Sequence, residues 1–96
     1  MLRHIVLLRW KPDADEAARE AVREAIAAMP GRTSEIRTLR WGDNVGNRPN
    51  AYDFAVVMDF DDRAAFDRYL AGDAHREYVV GPARAAVASI AAIQHA

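Results

Sequence analysis

The sequence contains no cysteine, which excludes disulfides and thiolate chemistry, whether for metal binding or for nucleophilic attack. It has no excess of either charge, because 13 basic and 14 acidic residues leave a net charge of −1. It therefore has no basic footprint for nucleic acid or an anionic membrane. Charged residues interrupt every apolar run before it reaches the ~18 residues of a membrane span, and no signal-peptide core is present. These absences predict a cytoplasmic protein without nucleic-acid or membrane partners.

The length of 96 residues predicts a single domain, residues 1–96, and the sequence shows no repeats or linkers. A domain of this size buries roughly 60–65% of its unfolded surface. We therefore expect a second copy to add to its stability by covering exposed apolar area.

In the first half of the chain, an alternating pattern is followed by helical spacing. Residues 2–10 predict a strand with two different faces. One face carries Leu2, His4, Val6, Leu8 and Trp10, and the other carries Arg3, Ile5, Leu7 and Arg9. Asp13 and Glu16 form a capping box, which predicts a helix that Pro30-Gly31 ends. Residues 35–41 predict a second, weaker strand.

In the second half, alternation returns at residues 52–60 and predicts a strong strand. Its apolar face consists of Tyr52, Phe54, Val56, Met58 and Phe60. Asp61 or Asp62 can cap the helix that follows, and Gly72 suits a left-handed position past its end. Asp73 can cap a further short helix, which Gly81-Pro82 bends. Residues 88–94 predict a last, short strand.

The resulting order, βαββα(α)β, predicts an α+β fold of the ferredoxin-like type, with an antiparallel sheet covered by helices on one face. In this topology the first and third strands are central neighbours. The face of the first strand that bears His4 then lies under the helices.

The other sheet face combines an apolar centre with charged ends. Opposite charges are expected to pair across the strands, Arg3 with Asp59 and Arg9 with Asp53. The apolar centre consists of Ile5, Leu7, Ala55 and Val57. Because an exposed apolar patch of this kind usually marks an interface, we expect a homodimer formed sheet against sheet.

Several short segments, in this order, resemble the stress-responsive dimeric α/β-barrel (Dabb) family. They are His4-Ile5-Val6-Leu7-Leu8-Arg9-Trp10-Lys11, Trp41-Gly42-Asp43-Asn44, the strand at 52–60, Tyr69-Leu70 and Asp73-Ala74-His75. The resemblance spans almost the whole chain. It implies a ferredoxin-like subunit, a dimeric α/β barrel, and a pocket between sheet and helices in each subunit.

One branch of that family includes a plant polyketide cyclase, which performs an aldol condensation without a cofactor. The resemblance places the branch's pocket histidines and tyrosine on His4, Tyr69 and His75 of this chain. Two further polar positions of the branch fall on Phe54 and on Ala25 or Ile26. The resemblance therefore implies a more apolar pocket here.

Chemistry of the aldol or enolisation type needs a base beside a carbonyl and a donor for the developing oxyanion. We expect His75 to be the base, because an imidazole titrates near neutral pH, and Tyr69 and His4 to orient the substrate or donate hydrogen bonds. The predicted pocket is lined by Trp10, Trp41, Tyr52, Phe54, Met58, Phe66 and Tyr78. The expected ligand is a small, mainly apolar carbonyl compound, with no cofactor and no metal.

Two other functions remain open from the sequence. The same three polar residues can simply tie the helices to the sheet, in a non-catalytic stress-response or ligand-binding dimer. A cofactor-independent monooxygenase is a further alternative, and it would require a substrate that itself activates oxygen. A pocket filled by Phe54, Met58 and Phe66 would favour the non-catalytic function.

Overall fold

Helices cover one face of a four-stranded antiparallel sheet in the computed structural model, which describes residues 1–96. The first half contains β1 (Leu2–Trp10), α1 (Glu16–Arg32) and β2 (Ile36–Asp43). The second half contains β3 (Phe54–Phe60), α2 (Arg63–Ala71), α3 (Asp73–Tyr78), a π-helical turn (Val79–Ala83), α4 (Arg84–Ala86) and β4 (Val87–His95). None of the helices has the length and apolar character needed to cross a membrane.

The strand order is β2-β3-β1-β4, which confirms β1 and β3 as central antiparallel neighbours and the fold as ferredoxin-like. In the register between them, His4 lies opposite Met58 and Ile5 opposite Val57. On its other side, β1 pairs with β4, where His4 lies opposite Gln94. Because neighbouring residues of a strand point to opposite faces, this register places His4 and Ile5 on different sides of the sheet.

The boundaries of α1 differ from the prediction at both ends. Its N-cap is Asp15 rather than Asp13, and the Asp15 carboxylate accepts a hydrogen bond from the Ala18 amide at 2.8 Å. The helix also continues through Pro30-Gly31 to Arg32. Pro30 has no amide hydrogen to donate to the Ile26 carbonyl and crowds the preceding turn, but this disrupts the helix only near its end, which lies two residues later at Arg32.

Two expectations at the junction of α2 and α3 are wrong. Asp62 caps α2 as expected, since its carboxylate accepts from the Ala65 amide at 2.9 Å. Gly72, however, has φ −79° and ψ 162°, which is extended and not left-handed. It is also the N-cap of α3, so Asp73 is the first helical residue rather than the cap. The extended conformation of Gly72 lets one helix end and the next begin at the same residue.

β1 has the predicted bounds, whereas the other three strands differ from theirs by one or two residues at one or both ends, and β3 begins at Phe54 rather than Tyr52. The expected pair of Arg9 with Asp53 does not form. Asp53 instead accepts a hydrogen bond from the Trp10 amide at 2.8 Å. The Arg9 guanidinium lies 4.1 Å from the ring centroid of Tyr52.

The core lies between the sheet and the helices, on what we call the covered face. Phe60 is completely buried at its centre. The Phe60 ring centroid lies 5.3 Å from that of Phe66 and 5.2 Å from that of Tyr69, both on α2. Val22, Ile26 and Met29 bury the inner side of α1 against the same layer.

The opposite side, the open face, has no helices over it. Its apolar centre is formed in register by Val57, Ile5 and Ile93 in one row and by Ala55, Leu7 and Ala91 in the next. At one end, Arg3 binds both carboxylate oxygens of Asp59, at 2.8 and 3.0 Å, as predicted. Together with the Thr38 hydroxyl, this guanidinium lowers the pKa of Asp59 to about 2. The open face thus has a charged end and an uncovered apolar centre, in which Ile93 is 58% exposed.

Candidate functional site

A small cavity of about 30 Å³ lies between the sheet and the helices and brings together side chains from five elements. Its walls are formed by His4 and Val6 from β1, Ile26 from α1, Val56 and Met58 from β3, Tyr69 from α2 and Tyr78 from α3. One imidazole and two phenols are the polar groups in this wall. The cavity alone has room for about one water molecule.

A side chain from β4 holds the His4 ring in place through a hydrogen bond. The Gln94 side-chain amide donates to His4 Nδ1 at 3.0 Å, across the β1–β4 pairing. When Nδ1 accepts this bond, the neutral ring carries its proton on Nε2, which is then a hydrogen-bond donor. Burial lowers the pKa of His4, and the proximity of His75 lowers it further, so the ring is neutral near pH 7. The Phe66 ring packs against it at a centroid distance of 4.8 Å.

Tyr69 and Tyr78 contribute hydroxyl groups to the same cavity. Burial raises the pKa of Tyr69, and Tyr78 raises it further. Burial also raises the pKa of Tyr78 to about 12. Both phenols therefore stay protonated at neutral pH and are available as donors. Buried tyrosine hydroxyls usually have a partner, and a bound ligand oxygen would provide one.

His75 stands behind Tyr69 rather than in the cavity wall. Its ring meets the Tyr69 ring edge to face, with centroids 5.1 Å apart. Burial lowers the pKa of His75, while a hydrogen-bond interaction with the Leu70 backbone carbonyl acts in the opposite direction. The imidazole is thus a neutral base near pH 7, adjacent to a phenol that reaches the cavity.

A larger groove adjoins the cavity and accounts for most of the volume of the site. Its volume is about 400 Å³, and Val6 and Tyr78 line both spaces. Its other walls are Leu8, Lys11, Val79, Ala83, Arg84, Val87 and Ile90. The π-helical turn forms one side and β4 the other, where Ile90 is 63% exposed. The sequence patterns do not single out Lys11, Arg84 or Ile90 for this site. The one local signal is Gly81-Pro82, which lies within the π-helical turn.

The remaining predicted pocket residues lie in separate places. Phe66 packs on His4 from the helix side. The rings of Trp10 and Trp41 both contact Phe54, at centroid distances of 5.6 and 5.7 Å. Tyr52 and Phe54 line a different depression of about 230 Å³, which also includes Leu7 and Ala55 of the open face. The structure therefore brings His4, Tyr69, Met58 and Tyr78 together and places the tryptophans and Tyr52 elsewhere.

No three histidine, aspartate or glutamate side chains come close enough together to hold a metal ion. The polar side chains that line the cavity are the neutral imidazole of His4 and the protonated phenols of Tyr69 and Tyr78, and the groove adds the cations Lys11 and Arg84. Such groups can move a proton and donate hydrogen bonds to an oxygen that gains negative charge.

Known structures share this architecture. A dimeric ferredoxin-like protein of unknown function from Thermobifida fusca superimposes with a TM-score of 0.88 at 30% identity, covering 99% of this chain and 89% of that one. A hydroxynitrile lyase from Passiflora edulis superimposes with a TM-score of 0.87 at 18% identity, covering 98% of this chain and 90% of the lyase. The likeness to the lyase is one of fold.

Sequence comparison gives the family directly. An uncharacterised protein of Streptomyces coelicolor is 37% identical over 78 residues, which are 79% of this chain and 80% of that protein. The family described as Stress responsive A/B Barrel Domain, or Dabb, matches residues 2–94. This match covers almost the entire chain, and the chain therefore belongs to the Dabb family.

Proposed function

We propose that this Dabb protein binds a small, mainly apolar carbonyl compound in the cavity and groove, and catalyses cofactor-free acid–base chemistry on it. The observation that carries the proposal is the meeting of His4 and Tyr69 in one apolar cavity, with His75 packed on the Tyr69 ring. A hydroxynitrile lyase from Passiflora edulis has the same fold, so this fold can carry an enzyme.

The proposed step is removal of a proton from the carbon next to the carbonyl. In this proposal the His75 ring, which packs behind Tyr69 in the free protein, turns into the cavity when the ligand binds and accepts this proton. The C–H electron pair forms the enolate. The Tyr69 hydroxyl and His4 Nε2–H donate hydrogen bonds to the enolate oxygen, where the negative charge develops. Return of the proton from His75 to carbon reverses the enolisation. In an aldol-type cyclisation the enolate carbon instead attacks a second carbonyl, and the alkoxide that forms there takes the proton from His75.

We further propose that the working unit is a homodimer. The open face leaves the apolar centre around Ile5 uncovered, and a contiguous apolar surface of this kind is typical of an interface. The Thermobifida relative with the same fold is described as dimeric. In this assembly the open faces of two copies pack together, while each subunit keeps its own cavity on the covered face.

A solvent-exchange assay tests the chemistry without knowledge of the natural substrate. A methyl ketone with an apolar chain is incubated with the protein in deuterium oxide, and loss of the α-hydrogens is followed by NMR. We expect exchange above background for the wild type and a loss of about 10²–10⁴-fold for His75→Ala. Tyr69→Phe, which removes only the hydroxyl, is expected to lose about 10²-fold or more.

The pH dependence gives an independent measure of the base. Because burial lowers the pKa of His75 below its ordinary value of 6.5, the rate is expected to be flat at pH 7 and to fall only as the pH drops through that lowered pKa. His75→Ala should lose this acid limb. His95→Ala is the matched control, since this third histidine is exposed at the end of β4 and should keep the full rate. Equal rates in wild type and His75→Ala would remove His75 from the mechanism.

A non-catalytic ligand-binding dimer is the second candidate, and the cavity volume of about 30 Å³ favours it. In that case the ketone binds in the groove, exchange stays at background, and Tyr69→Phe changes affinity without changing any rate.

A further inference from the structure

We infer that the groove selects ligands that carry a carboxylate, bound by Lys11 and Arg84 at the groove mouth, with an apolar chain leading from it toward His4 and Tyr69. This inference deepens the proposed function and rests on it. It assigns the ligand class as an apolar oxo acid in which several carbons separate the carboxylate from the carbonyl.

The first support is the charge balance of the groove. Eight of the 13 basic side chains form ion pairs with carboxylates elsewhere on the surface. Lys11 and Arg84 belong to the five that form none, and they line the same groove. No aspartate or glutamate lines it, so the groove offers two cations without an acidic counterpart. A ligand anion would supply the missing charge.

The second support is that Lys11 is held in place. Its backbone amide donates to the Ala86 carbonyl at 2.7 Å, and its Nζ donates to the Arg84 carbonyl at 2.6 Å. An ammonium group has three donors, so two remain for a ligand. The same contacts tie the end of β1 to α4, so the Lys11 ammonium lies beside the Arg84 backbone in the wall of the groove.

The groove chemistry favours a carboxylate over a phosphate. Phosphate sites typically combine several backbone N–H groups at a helix N-terminus or in a glycine-rich loop, and no glycine lines this groove. The other walls are apolar, which suits a hydrocarbon chain. A volume of about 400 Å³ lies at the small end of the range for ligand pockets.

The strand sets the spacing between the two ends of the ligand. His4, Val6 and Leu8 follow one another on the covered face of β1, and Lys11 lies just past the end of this strand. The four residue steps of an extended strand from His4 to Leu8 span about 13 Å. A ligand whose carboxylate is at Lys11 and whose carbonyl is at Tyr69 must therefore be an extended chain rather than a short keto acid.

Three matched probes test the inference by titration calorimetry. The first is oxodecanoate with its ketone near the far end, the second is its neutral methyl ester, and the third is decanoate, which has no ketone. We expect the oxo acid to bind about three- to tenfold more tightly than the ester at low salt, as for ion pairs near a protein surface. This preference should shrink as salt is added.

The variants assign that preference to the groove cations. Arg84→Gln and Lys11→Met should each reduce the preference for acid over ester, and the double variant should abolish it while the ester still binds. Arg48→Gln is the matched control, because it removes another unpaired cation, from the loop before β3, and should keep the preference. Since Arg84→Gln leaves the Arg84 backbone carbonyl bound to Lys11, it tests the charge even if Lys11→Met disturbs the fold.

Two results separate the inference from the proposed function. Equal affinity of the wild type for acid and ester, or the same loss of preference in Arg48→Gln, overturns the carboxylate inference and leaves the ketone site standing. Tight binding of both acids without any advantage of the ketone supports the carboxylate inference and contradicts carbonyl recognition by Tyr69 and His4.

Discussion

Ile5→Asp is expected to convert the protein from a dimer to a folded monomer at micromolar concentration. Ile5 lies at the centre of the open face, between Val57 on β3 and Ile93 on β4. In a single subunit this position is partly exposed, so a carboxylate there can remain hydrated. In a sheet-to-sheet dimer it would be buried without a partner, which costs several kcal/mol.

The expected change is a rise of about 100-fold or more in the dimer dissociation constant. Sedimentation velocity over a concentration series measures this constant, and circular dichroism shows that the subunit remains folded. Val80→Asp is the matched control, since it places the same charge on an exposed apolar residue of the helical side. A variant that stays dimeric, or a monomeric wild type, would contradict packing through the open face.

Phe60→Ala is expected to lower the free energy of unfolding by about 3–5 kcal/mol. Phe60 is completely buried and contacts both aromatic rings of α2, so the truncation leaves a cavity at the centre of the covered face. Since domains of this kind are stable by about 5–15 kcal/mol, the loss is a large share of the total. Urea denaturation measures it, at one fixed protein concentration because dimer formation contributes to stability.

Phe60→Leu provides the control for this core position. A leucine keeps most of the apolar volume, and the expected loss is roughly 1–1.5 kcal/mol. Because Tyr69 packs on Phe60, the alanine variant should also reduce ketone exchange in molecules that remain folded. A loss below about 1 kcal/mol for Phe60→Ala would contradict the central place of this ring in the core.

The sequence predicts which residues lie on each face of the sheet, because successive side chains of a strand point to opposite faces. The residues that alternate with His4 in β1 and with Phe54 in β3 all point to the helices, and the register places Arg3 opposite Asp59 as expected. The helix ends are less predictable, since Asp13 and Glu16 have the spacing of a capping box, whereas the cap in the structure is Asp15, which is followed three positions later by Ala18. The conformation of Gly72 depends on the immediate start of α3, which no local rule for helix ends includes.

The candidate site, too, can be predicted from the sequence only in part. His4 and Tyr69 can be found from the sequence because each is polar on an otherwise apolar face. The groove cations cannot be found in this way, because Lys11 and Arg84 are 73 positions apart and meet only when β1 pairs with β4. The sequence assigns Trp10, Trp41 and Tyr52 to the pocket because they are aromatic. In the structure both tryptophans pack on Phe54, and Tyr52 lines a separate depression beside the loop before β3.

The decisive measurement is a crystal structure of the protein with oxodecanoate bound. We expect the ketone oxygen to lie within hydrogen-bond distance of the Tyr69 hydroxyl, and the chain to run along Val6 and Leu8 with its carboxylate between Lys11 and Arg84. A ligand bound on the open face, or a cavity that stays closed while the chain binds elsewhere, would contradict this expectation.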